Sequence, residues 1–198
     1  MFLSEPEGPW VIQPVESDRG TEPLATVEGA VTSWSADGLL AGTRERRFWV
    51  GSLERQTTIT SAGREWGAVL SPDGALVAYT SARTGTFQVF AQPKPPTGQE
   101  WQVSSDFGEE PVWSRSSREL FYRRHNQWWS VPFVIGAPAS PDLLFEGPFF
   151  YASGPSYDVA PDGRFLMALP PMAADATREL LWIEGWVEEL RAGLPRAR

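Results

Sequence analysis

Four short segments of the chain share one local pattern: Trp34-Ser35-Ala36-Asp37-Gly38, Leu70-Ser71-Pro72-Asp73-Gly74, Trp113-Ser114-Arg115-Ser116-Ser117 and Val159-Ala160-Pro161-Asp162-Gly163. Their second residues stand at 35, 71, 114 and 160, so the steps are 36, 43 and 46 residues. A segment that returns at a near-constant interval means that one supersecondary unit is repeated along the chain. Where all three turn residues are present, Pro presets φ, Asp accepts local backbone hydrogen bonds and Gly takes positive φ. Loops absorb the unequal steps at small entropic cost.

Within one step the pattern reads strand, tight turn, strand, loop, strand, loop, strand. In the clearest unit, residues 68–70, 76–80, 87–91 and 101–103 are apolar or alternating runs separated by the Ser-Pro-Asp-Gly turn, an Arg83-Thr84-Gly85 turn and a Pro-rich loop. A β-sandwich has no reason to repeat one local sequence at each step, whereas a radial array of four-stranded sheets does. The expected fold is therefore all-β: a single β-propeller over residues 1–198, built of four-stranded antiparallel blades. The expected blades are 31–60, 67–104, 111–145 and 157–183, with a half blade at 1–30 and a short C-terminal helix and tail at 184–198. The strand at Trp10 reads as the third of a blade. The expectation is thus about four and a half blades of a larger propeller of about six, with self-association at its open faces.

Composition narrows the class. Glycine and proline number 18 each, which breaks long helices. Net charge is −8, which argues against nucleic acid as a partner. Two basic clusters, Arg44-Glu45-Arg46-Arg47 and Arg123-Arg124-His125, read as solvated strand ends or turns. No cysteine is present, so thiol chemistry and disulfides are excluded. No apolar run is long enough to span a membrane.

With these residues in view, the repeat resembles the WD-repeat-like propellers of the TolB type. It is most similar to the propellers at the C-terminal end of bacterial serine/threonine protein kinases. The likeness rests on Leu144-Phe145-Glu146-Gly147-Pro148, on residues 157–167 with their Ala160-Pro161-Asp162-Gly163 turn, and on the Trp186 segment ending in Glu188-Glu189-Leu190. The resemblance implies a non-catalytic binding module, the sensory or scaffold region of a receptor-like kinase, placed outside the cytoplasm. The chain has no Gly-rich loop, His-Arg-Asp or Asp-Phe-Gly signature, so any kinase domain would lie upstream. Two alternatives stay open: a propeller gating a prolyl-oligopeptidase-like peptidase, and a stand-alone TolB-like periplasmic scaffold.

No catalytic constellation is legible. His125 is the single histidine, no Gly-x-Ser-x-Gly elbow exists, and no ligand cluster suits a metal. His125 reads as an exposed loop residue, and Asp37, Asp73 and Asp162 read as turn residues. Third-turn Ser116-Ser117 replaces Asp-Gly, which predicts a looser hairpin. No cofactor is expected. The candidate ligand contacts lie in the loops entering each first strand, which gather on one face of a propeller: Arg64, Glu65, Trp66, Glu109, Glu110, Tyr151 and Tyr157. A protein or a small ligand would be received there. The tryptophans are expected mostly between blades.

Overall fold

A computed structural model of the chain describes residues 10–12, 25–35, 37–52, 54–58, 64–134, 137–151, 156–169 and 181–183. Strands are the regular elements among them. Strands β1 (Trp10–Ile12) and β2 (Ala25–Val27) form an antiparallel pair. The first blade contains β3 (Ala30–Trp34), β4 (Leu40–Arg44), β5 (Arg47–Gly51) and β6 (Gln56–Thr58), hydrogen-bonded in that order. The second contains β7 (Glu65–Leu70), β8 (Leu76–Ser81), β9 (Gln88–Pro93) and β10 (Trp101–Gln102). The third contains β11 (Glu109–Trp113), β12 (Glu119–Arg124), β13 (Gln127–Val134) and β15 (Asp142–Glu146), with the short β14 (Ala137–Pro138) paired to the end of β13. The fourth shows β16 (Tyr157–Val159), β17 (Phe165–Met167) and β18 (Leu181–Ile183). The expected C-terminal helix at 184–198 lies outside the described residues.

The core is a series of layers between consecutive sheets, which is what a radial array requires. Strand β8 shows why: all six of its residues are buried. Val77 and Tyr79 pack toward the first blade with Ala41, Phe48 and Val50. Leu76 and Ala78 pack toward the third with Trp113, Leu120 and Phe133. Side chains on a strand alternate in direction, so a sheet held between two neighbours must be apolar on both faces. A third layer joins Phe121 and Trp128 to Tyr157, Phe165 and Met167 of the last blade. At about 25 cal/mol per Å² of apolar surface removed from water, these layers are the main force holding blade to blade.

The innermost strands are also tied by hydrogen bonds. Leu70 N donates to Ser33 Oγ (3.1 Å), and Trp113 Nε1 donates to Val69 O (3.2 Å). Each of the first three inner pairs carries a bulge at the same place, at Val31/Ser33, Trp66/Val69 and Glu109/Val112. Bulges re-aim side chains at sheet margins. In the second blade the bulge seats Gly67 at φ 61°, and in the third it seats Glu110 at φ 53°. A side chain in this left-handed region is strained, which makes Glu110 conspicuous.

Two expectations are corrected, and one tryptophan is an exception to the burial expected for most. Trp34 stands at the place of Trp113 in the repeat but is 56% exposed, against 5% for Trp113. Trp113 is covered because the preceding blade offers an inner strand, whereas the β1–β2 pair before Trp34 has none among the described residues. The third hairpin is not looser: Ser117 N donates to Ser114 O at 3.0 Å, as Gly74 N does to Ser71 O at 2.8 Å. Ser117 takes the left-handed seat itself (φ 59°), and its Oγ accepts from Asp73 N of the blade before (3.0 Å). Arg123 is no solvated end, since it is 5% exposed.

Candidate functional site

Antiparallel blades place the loops entering each first strand at the same end as the turns between second and third strands. At that end of the third blade lies a cleft of about 360 Å³, lined by Phe107, Glu109, Arg123, His125, Asn126 and Tyr151. Its position follows from register. Glu109 opens β11 and pairs across the ladder with Arg123 on β12. His125 and Asn126 form the turn into β13, with His125 in the left-handed region at φ 57°. The His125 ring stacks on Phe107 (centroids 4.5 Å, 19° between planes). Tyr151 arrives from the loop after β15, and its ring lies 4.9 Å from the Arg123 guanidinium carbon.

Beneath this cleft the third and fourth blades are clasped together by Glu110 and Arg123. Glu110 Oε2 accepts from Ser156 N (3.0 Å) and from Ser156 Oγ, and Glu110 O accepts from Tyr157 Oη (2.8 Å). Arg123 Nη1 donates to Phe150 O (3.1 Å) and Ser156 Oγ (3.0 Å), and Arg123 Nε donates to His125 O. Arg123 Nη1 also lies 4.0 Å from Glu110 Oε1. A buried guanidinium needs such partners to offset the loss of water.

Electrostatics follows from this burial. The Glu109 carboxyl is pushed up to about 7, chiefly by burial and further by the Glu110 charge, with the Tyr151 hydrogen bond and Arg123 acting the other way. Glu110 is raised by burial against the opposing pull of Ser156. Burial, then the Glu109 charge and hydrogen bond, pushes Tyr151 up to about 12. Tyr157 is raised well above the usual phenol value, first by burial.

The seven candidates from the sequence therefore separate. Glu109 and Tyr151 meet in the cleft, where Tyr151 Oη donates to Glu109 Oε2 at 3.1 Å. Glu110 and Tyr157 belong to the clasp below it. Arg64 is exposed ahead of β7, Trp66 is half-buried with its ring edge on Phe87 (4.4 Å), and Glu65 is fully buried. These three belong to the second blade and do not line the cleft. Neither carboxylate oxygen of Glu65 has a hydrogen-bond partner among the described residues. It interacts electrostatically with both members of the Arg83–Glu100 pair, and Glu100 is raised by burial first and by Glu65 second. Arg123 and His125 were not legible as site residues. An arginine in a basic run reads as solvent-facing, and only the pairing of β12 with β11 puts it beneath Tyr151.

Among the described residues, no cluster of three His, Cys, Asp or Glu side chains is placed to hold a metal. The Ser156 hydroxyl is bound into the clasp and is not paired with a free base. The turn aspartates do what their spacing predicts: Ser71 Oγ donates to Asp73 Oδ1 (2.7 Å) and Arg164 N donates to Asp162 Oδ1 (3.2 Å). No helix among the described residues is long and apolar enough to cross a membrane.

No protein-family model matches the sequence, and no curated protein matches it. Solved structures do. TolB from Acinetobacter baumannii superposes with a TM-score of 0.57 at 17% identity, over 76% of this chain and 40% of that one. The β-propeller domain of the Trilobed protease from Pyrococcus furiosus, described as having an open velcro topology, gives 0.51 at 13% identity over 78% and 53%. A gluconolactonase from Xanthomonas campestris gives 0.57 at 12% identity over 75% and 59%. The chain thus spans about half the length of these proteins. At such identities the likeness establishes the fold: an all-β β-propeller of antiparallel blades. It does not carry over what those proteins do.

Proposed function

We propose that this propeller is a non-catalytic binding module, that the Glu109–Tyr151 cleft is its ligand seat, and that it is the sensory or scaffold C-terminal region of a bacterial receptor-like serine/threonine kinase. One observation supports the seat above all. Two nearly buried ionisable side chains, an acid and a base, Glu109 and Arg123, form the floor of an aromatic-walled cleft on loops held by a rigid sheet. Pockets that select ligands combine apolar walls with a few fixed polar groups in this way. The kinase assignment is supported by the resemblance of residues 144–167 and of the Trp186 segment to the ends of kinase-linked propellers.

A second reading, a propeller that gates a peptidase domain, is favoured by the likeness to the Trilobed protease propeller. The neighbouring coding sequence separates the two: kinase signatures and a membrane span upstream support the first, and a hydrolase domain supports the second. The seat is tested by a thermal-shift screen of small metabolites and short peptides. A stabilising compound whose effect disappears in Tyr151→Ala, with the unliganded melting temperature kept, supports the cleft. Hits that persist in that variant, or hydrolysis of any compound, would overturn it.

A further inference from the structure

Resting on that reading of the cleft, we propose that its ligand is an uncharged polyhydroxylated ring, a pyranose, held by two neighbouring hydroxyls on Glu109 and Arg123 with its carbon face against Tyr151 or His125. The open hydrogen-bonding valences define the chemistry. Arg123 uses Nε and Nη1 within the protein, while Nη2 makes no hydrogen bond among the described residues. Glu109 accepts from Tyr151 at Oε2, while Oε1 makes none among them. The floor therefore offers one unused donor nitrogen, with two N–H groups, and one unused carboxyl oxygen. A hydroxyl both donates and accepts, so two neighbouring hydroxyls satisfy both groups without adding charge.

Charge disfavours a simple anion and a simple cation. An anion drawn to Arg123 meets Glu109, with Glu110 behind it. A cation drawn to Glu109 meets the Arg123 guanidinium. Both floor residues are buried, so solvent screens neither encounter well. The walls favour a ring over a lone amide. Tyr151 is 54% exposed, and His125 lies flat on Phe107, so the cleft presents aromatic surface that an amide plane leaves uncovered. Asn126 donates from Nδ2 to Glu146 (3.0 Å), which leaves its carbonyl oxygen for a rim hydroxyl. A volume of about 360 Å³ suits one small ring and is far too small for a folded partner.

The test is an amide-resolved NMR titration of the whole chain with methyl glucoside, methyl galactoside and methyl mannoside. Acetate, methylammonium and N-methylacetamide are run in parallel. At least one glycoside should give saturable shifts at His125, Asn126 and Tyr151. At least one monodeoxy form of it should bind about tenfold more weakly. Tyr151→Ala and His125→Ala, each confirmed to keep the parent amide fingerprint away from the cleft, should abolish the shifts. Saturation at the cleft by acetate, methylammonium or N-methylacetamide without any glycoside response would overturn the sugar assignment and leave the cleft as a binding seat. Silence of the cleft residues to every compound would overturn both.

Discussion

The Tyr151 hydroxyl donates to Glu109 Oε2 across 42 residues of sequence, at 3.1 Å. That bond favours the ionised carboxylate and so opposes the burial that pushes Glu109 up to about 7. Tyr151→Phe removes the donor and keeps the ring. Carboxyl-carbon NMR should then show Glu109 titrating higher than in the parent, and a lower value would mean that the bond does not form in solution.

Glu109 also makes stability depend on pH. Its folded-state value lies above its unfolded value, so the folded protein holds the proton more tightly. The associated stabilisation is complete below the unfolded value of 4.5 and is lost as pH rises toward about 7. The loss should be on the order of 2 kcal/mol. Denaturant melts at pH 5 and pH 8 should differ less in Glu109→Gln than in the parent. An equal difference in both would remove Glu109 as the source.

Glu110 carries two opposed effects that substitution separates. Its carboxylate clasps Ser156, and its backbone stands at φ 53° where the second blade has Gly67 at φ 61°. Glu110→Ala loses the clasp and keeps the strain, at about 2–4 kcal/mol for leaving buried partners unpaired. Glu110→Gly loses the clasp and releases about 1–2 kcal/mol of left-handed strain. The glycine variant should therefore melt above the alanine variant. The reverse order would mean that the bulge is not strained in solution.

The two equivalent tryptophans should respond differently. Trp113 is buried between blades with its indole nitrogen bonded to Val69 O, so Trp113→Ala should cost about 3–5 kcal/mol. Trp34 is largely exposed, and Trp34→Ala should cost under about 1 kcal/mol. Similar losses at both, measured by denaturant unfolding, would mean that a covering surface reaches Trp34.

The architecture was legible because it is written locally. A turn needs its own four residues, and a strand between two sheets needs apolar residues on both faces, so 71–74 and 76–81 announce themselves without knowledge of any neighbour. The site was legible only in part. Glu109 stands at the start of a first strand and Tyr151 on the loop entering another, and those places are predictable from the repeat. Their meeting, the burial of Arg123 beneath them and the turning of Glu110 into an inter-blade clasp depend on register across β11 and β12 and on the packing of the fourth blade against the third. Trp34 and Trp113 make the same point, with one local sequence in two environments. The sequence by itself determined the repeat, its turns and which strands would be apolar on both faces, because those depend on near neighbours in the chain. Only the tertiary structure decided which charged side chains would be buried and paired, because desolvation and ion pairing depend on groups brought together from separate strands and blades, such as Arg123 with Glu110 and Glu110 with Ser156.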